Sequence, residues 1–223
     1  MGVAPDFEQK FDQYRELLHH EASRLATYVR IYRRLHERME DRRDEINIAP
    51  AFFQLVIDAL YSGIVIWIDK LFDEHGGAGF FNFLTYVEYN RTALSIAELQ
   101  RRKQYPDGHW MLNRDPITLD TINDHRQRIR DLEALPSFAL RRDKFQAHFD
   151  RDYFFERGRF ATEAPITWGD LDKATELMWD ILNTYSAAFD GKLYAGAPIN
   201  ATDVDHLLDA LHAARKRRHT QDS

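Results

Sequence analysis

Arg142, Asp143, Lys144, His148 and Asp150 crowd into one short stretch, RRDKFQAHFD at 141–150. Those residue types can process a phosphodiester. An imidazole titrating near neutral pH can take a proton from a 2′-hydroxyl or give one to a leaving 5′-oxygen. A guanidinium can stabilise the charge that builds on the non-bridging phosphate oxygens. The same types also make an ordinary wet helix face, in which Arg and Lys pair with Asp for a few tenths of a kcal/mol each. Residue types alone leave both readings open.

Helical spacing bears on the choice. On a straight α-helix Arg142 and His148 point about 120° apart. Arg141 and His148 differ by only about 20°, but lie about 10 Å apart along the axis. Lys144 and Asp152 are each four residues from His148 and share its face. An Arg–His site therefore requires two copies of this helix to face each other, so that Arg from one chain approaches His of the other. Such a twofold pairing would also create a positive cleft in an acidic protein.

The elements that position this stretch are helical. Apolar residues recur at three- and four-residue spacing from Phe7 through Phe11, Tyr14, Leu18, Leu25, Tyr28, Tyr32 and Leu35 to Met39, predicting a long amphipathic helix over 6–45. Pro50 suits a helix start, and the run to about Asp73 is apolar nearly all round, which predicts a central helix. HGGAG at 75–79 breaks it. A third helix is expected over 80–104, a fourth over 119–134 capped by Thr118, and a fifth over 137–152 carrying the charged stretch. Residues 153–165 read as a loop with aromatic anchors. Thr167 with Asp170 forms a capping box for a sixth helix that Gly191 ends, and Thr202 caps a short last helix before the basic run RKRRH at 215–219, read as a tail. The fold class is all-α.

Composition narrows the chemistry. The chain has no cysteine, which excludes disulfides, thiolate zinc sites and cysteine nucleophiles. Its net charge of −6 argues against attachment to nucleic acid by bulk charge and leaves room for a local basic patch. The N-terminus lacks a basic start followed by an apolar run, and the apolar core ALYSGIVIWI at 59–68 is about half the length needed to cross a bilayer. A cytoplasmic protein without membrane partners is expected. Glu16-x-x-His19 has the form used in di-iron bundles, but no second copy accompanies it, so neither a metal nor a cofactor is expected.

The string Arg142-Asp143-Lys144, Ala147-His148, Asp150 resembles the HEPN superfamily, in its abortive-infection AbiU-like branch. DALYSGIVIWIDKLFD at 58–73 is similar to that branch's central helix, and ITWGDLDKATELMWDILNTYSAAFDG at 166–191 to its last long helix. The resemblance implies a HEPN-like helical bundle over 1–191, with residues 192–223 forming a C-terminal helix and basic tail. It further implies a homodimer and metal-independent endoribonuclease activity on RNA in toxin–antitoxin or phage-defence systems, restrained by an antitoxin or other regulatory partner. Carried over by position, Arg142 and His148 form the catalytic pair. Asp143 matches the polar residue after the arginine, and Lys144 and Asp150 match branch positions. Arg141 stays ambiguous, because the helical wheel favours it while the motif favours Arg142. The alternative is a non-catalytic helical module that binds RNA, a nucleotide or a protein partner.

Overall fold

Phe7, Phe11, Leu18, Ala22, Leu25 and Val29 fall on one stripe of the first helix, and all are buried. That stripe fixes the architecture, because it must be covered on two sides. A computed structural model of the chain describes residues 6–146, 150–156, 158–196 and 201–221. In it α1 (Phe7–Arg38), about 48 Å long, packs against α3 (Pro50–Phe72) and α10 (Trp168–Asp190). The bundle is all-α, with no strand among the described residues. Its main core is aromatic: the Phe11 and Phe189 rings stack with centroids 4.5 Å apart, and Phe83 and Tyr185 meet edge to face with centroids 5.6 Å apart.

Several helices begin and end where local chemistry demands. Pro50 opens α3. The Thr118 side chain caps α6 (Leu119–Arg130), and Thr167 with Asp170 closes a capping box on α10. Gly191 ends α10 with φ of 79°, a left-handed conformation that favours glycine. Gly63 allows the close approach of α1 and α3, since a Cβ there would lie 2.7 Å from the Tyr28 ring.

Other boundaries differ from the spacing. The first helix stops at Arg38, and a turn leads to the short α2 (Arg43–Ile46). The expected third helix divides into α4 (Phe80–Tyr89), a 3₁₀ turn at Arg91–Leu94, and α5 (Ile96–Lys103). Ser95 starts α5 by accepting the Glu98 N–H. The 153–165 segment forms two single-turn helices, α8 (Arg151–Phe155) and α9 (Arg159–Glu163), over a small core of Tyr153, Phe160 and Ala164 backed by Leu140.

The last helix, α11 (Asp203–Gln221), has 19 residues and takes in the basic run at 215–219, which was expected to lie beyond it. Val204 and Leu208 pack on Leu35, Phe53 and Ile57, and ion pairs complete the seam. Asp205 binds Arg34 and Arg38, Asp209 binds Arg42 at 2.5 Å, and Arg215 binds Asp44 at 2.6 Å.

α3 differs along its length. Ile64, Val65, Ile68, Leu71 and Phe72 are buried, as a central helix requires. The N-terminal half is not central. Phe52 is 55% and Leu55 68% exposed, with Ile48 exposed just before them. The whole helix, 23 residues, is long and apolar enough by length and composition to cross a bilayer, beyond the ten-residue run singled out in the sequence. Its C-terminal half is instead built into the bundle core.

Candidate active site

The charged stretch does not continue one α-helix. α7 (Leu135–Arg141) lies along α3, with Phe138 buried between them and the core, and then the backbone widens into a π turn at Arg142–Gln146. A fresh helix, α8, starts at Arg151 with the Asp150 carboxylate accepting the Asp152 N–H at 3.1 Å. The expected helix over 137–152 is therefore interrupted, and the 100° wheel that separated Arg142 from His148 does not apply across the break. Single π turns of this kind recur at functional sites. His148 itself lies outside the described residues, as do Ala147 and Phe149.

The two adjacent arginines have different surroundings. Arg141 turns inward. Its Nε donates to the Ala164 carbonyl at 2.7 Å and its Nη2 to the Phe160 carbonyl at 3.0 Å, with the guanidinium over the Tyr61 and Phe160 rings. It ties the α9 region to the bundle. Arg142 is about one-third exposed. Its Nη1 donates to the Asp69 carboxylate and its Nε to Asp143 Oδ1 at 2.8 Å, while Nη2 has no partner among the described residues.

Asp69 is buried on α3 and Asp143 is mostly exposed. Burial pushes the Asp69 carboxyl above its ordinary range. The Arg142 guanidinium opposes that shift, and the negative charges of Asp73 and Asp143 add to it. Hydrogen bonding to Asp143, and then to Asp69, raises the Arg142 pKa further.

Lys144 and Asp150 bracket the His148 segment. Lys144 Nζ lies 2.8 Å from Asp150 Oδ2, and the Asp150 N–H donates to the Lys144 carbonyl at 3.1 Å. The Lys144 hydrogen bond holds the Asp150 carboxyl below its usual value, and Asp150 in turn raises the ammonium. Two links thus join residues 144 and 150, on either side of His148 in the chain.

A match to the HEPN family described as AbiU2 runs over residues 8–215, nearly the whole chain and including most of α11. The chain belongs to the AbiU2 family. No curated protein and no solved structure matches it. In this AbiU2 family member the resemblance read from the motif and the α3 and α10 strings extends over the full bundle.

Sequence reasoning missed the contact between Asp69 and Arg142. The signal was available. Asp69 follows Val65 by four residues and precedes Phe72 by three, so the acid sits in the buried register of an apolar helix. Glu16 and His19, the rejected metal pair, pin the chain after α10. Glu16 binds Lys192 at 2.6 Å and the Tyr194 hydroxyl at 2.9 Å, and His19 stacks on the Tyr194 ring at 4.1 Å. No group of three or more His, Asp or Glu side chains suited to a metal ion occurs among the described residues.

Proposed function

We propose that this AbiU2 family member is a metal-independent endoribonuclease of the toxin or phage-defence type, working as a homodimer. The observation that carries the reading is the state of Arg142. Its guanidinium is held at two nitrogens, its third has no partner among the described residues, and it stands six residues before His148 in the chain. Arg141 turns inward, with Nε and Nη2 spent on the Ala164 and Phe160 carbonyls and its guanidinium over the Tyr61 and Phe160 rings, which favours Arg142 as the working arginine.

In the reaction the 2′-oxygen attacks the adjacent phosphorus as His148 of one copy accepts its proton. The bond from phosphorus to the 5′-oxygen breaks, and a protonated imidazole delivers a proton to that oxygen. The products are a 2′,3′-cyclic phosphate and a 5′-hydroxyl. Arg142 neutralises the charge on the phosphorane oxygens. Asp143 steadies Arg142, while Lys144 and Asp150 join the chain on either side of His148. The exposed Ile48, Phe52 and Leu55 on α2–α3 support a second copy as partner, since an apolar face of that kind is normally covered. A nuclease acting on cellular RNA also needs restraint, which gives an antitoxin-type regulator a place in the reading.

The test is cleavage of labelled RNA by purified protein in EDTA, beside Arg142→Ala and His148→Ala. Each substitution is expected to lower the rate by about 10²–10³-fold. Equal cleavage by all three proteins, or cleavage that appears only when a divalent ion is added, overturns the proposal.

One observation favours a second reading. Arg142 is shared between two carboxylates, with Asp73 adding a third negative charge nearby, which weakens its pull on phosphate. A non-catalytic module binding RNA, a nucleotide or a protein fits that balance. It predicts no cleavage of any RNA pool and binding that survives His148→Ala.

A further inference from the structure

A carboxylate is expensive in the packed half of α3. Asp69 is 8% exposed among Val65, Ile68 and Phe72, and its only hydrogen-bond or ion-pair partner among the described residues is Arg142. A buried ion pair of that kind often stabilises a fold less than an apolar pair of the same volume. The Asp69 carboxylate accepts from no backbone N–H among the described residues. A residue that costs stability and touches one site arginine is better explained by the site than by the fold.

The two anchors of Arg142 are also unequal. Asp143 is next to it in the chain, on the same π turn, and its side chain is mostly in water, so it moves with the arginine. Asp69 stands on a helix whose neighbouring side chains are locked in the core, with Ile68 and Val65 wholly buried. Contacts at two different nitrogens fix the plane of a guanidinium, and the one rooted in the core sets where that plane lies relative to the bundle.

We infer that Asp69 is a positioning residue of this AbiU2 family site: it fixes the Arg142 guanidinium from α3 and leaves Nη2 as the donor to the scissile phosphate. The inference rests on the nuclease reading for its catalytic consequence, and on Arg142 geometry alone for its structural one. Asp69 touches no substrate and acts through Arg142. An Asn in its place keeps an oxygen acceptor without the charge; an Ala removes both.

The experiment compares wild type, Asp69→Asn and Asp69→Ala in steady-state cleavage of a short RNA, with ¹⁵N relaxation of the Arg142 Nε–Hε group, assigned as the signal lost in Arg142→Lys. Asp69→Ala is expected to lose about 10²-fold in kcat with KM within about threefold, the size of effect an ångström-scale misplacement produces. Asp69→Asn should fall between it and wild type. The Arg142 signal should be restrained in wild type and mobile in Asp69→Ala. If Asp69→Ala does not fold, a kcat in Asp69→Asn equal to wild type overturns the inference. So does a loss confined to KM, or an Arg142 signal as restrained in the variants as in wild type. If wild type cleaves no RNA, the nuclease reading falls, and the relaxation measurement still decides whether Asp69 holds Arg142.

Discussion

Two partly buried arginine–aspartate pairs in this bundle have opposite characters. At one end of α1, Arg15 and Asp190 meet through two parallel hydrogen bonds of 2.8 Å each, with the guanidinium over the Phe189 ring. The Asp190 carboxylate also accepts the Lys192 N–H at 3.1 Å. Burial pushes that carboxyl up, but the hydrogen bonds from Arg15 and Lys192 and the charges of Arg15 and Lys103 outweigh it, and its pKa falls. On α3, Asp69 meets Arg142 through one guanidinium nitrogen, with Asp73 and Asp143 close enough to add negative charge, and its pKa rises. The first pair is closed across Nη1 and Nη2, with Asp12 Oδ1 also 2.6 Å from Nη2 and Nε buried without a hydrogen-bond partner among the described residues, and it joins α1 to the end of α10. The second is open at Arg142 Nη2, which has no partner among the described residues. The nuclease reading proposed above needs a pair of the second kind.

The contrast is broken most severely at the closed pair. Arg15→Ala leaves Asp190 half-buried without its guanidinium. The expected cost is about 3–5 kcal/mol of stability, read from urea unfolding. Cleavage per folded molecule should stay at the wild-type rate. A loss below about 1 kcal/mol would mean that the pair behaves like a surface ion pair, and the comparison would lose its stable half.

A smaller effect separates the two pairs by the sign of their pH dependence. The lowered pKa of Asp190 means its contribution is present above the ordinary carboxylate value and is lost as pH falls through its folded value. The raised pKa of Asp69 works in reverse: its contribution is present below the ordinary carboxylate value and is lost as pH rises through the folded one. Asp190→Asn should therefore destabilise the protein at neutral pH, with the penalty shrinking on acidification. Asp69→Asn should match or exceed wild-type stability at neutral pH, with the gain vanishing in acid. Unfolding midpoints taken between about pH 3 and pH 7 decide this. Destabilisation by Asp69→Asn at neutral pH would place both pairs in the structural class.

How much of this was legible depended on whether the signal was local. Pro50, Thr118, the Thr167–Asp170 box and Gly191 act on their own backbone, and the helices they start or stop appeared where the residues required. The break at Arg142 was hidden because a charged run keeps helical spacing through a π turn, which changes the hydrogen-bond step and not the composition. α11 was read as short because much of its support is tertiary, from Arg34, Arg38 and Arg42 on α1 and the following turn. Arg141 and Arg142 are indistinguishable as letters. Only Ala164 and Phe160, some twenty residues on, and Asp69, more than seventy residues back, tell them apart.

The smallest expected change in stability probes where the open pair leads. Leu55, Ser62 and Asp69 lie seven residues apart, so they share one face of α3. α7 and the π turn pack on α3, but Phe52 and Leu55 remain exposed. If a second copy covers that open end, it extends along the helix that holds Arg142. Leu55→Glu should then shift the protein from dimer to monomer in size-exclusion chromatography with light scattering. Unfolding should stay within about 0.5 kcal/mol of wild type at protein concentrations where wild type is itself monomeric, because the side chain is already in water within one copy. RNA cleavage should fall with the dimer and recover as protein concentration rises. A Leu55→Glu protein that remains dimeric and cleaves at the wild-type rate would put the twofold contact elsewhere, and α3 would then position Arg142 without reaching the partner.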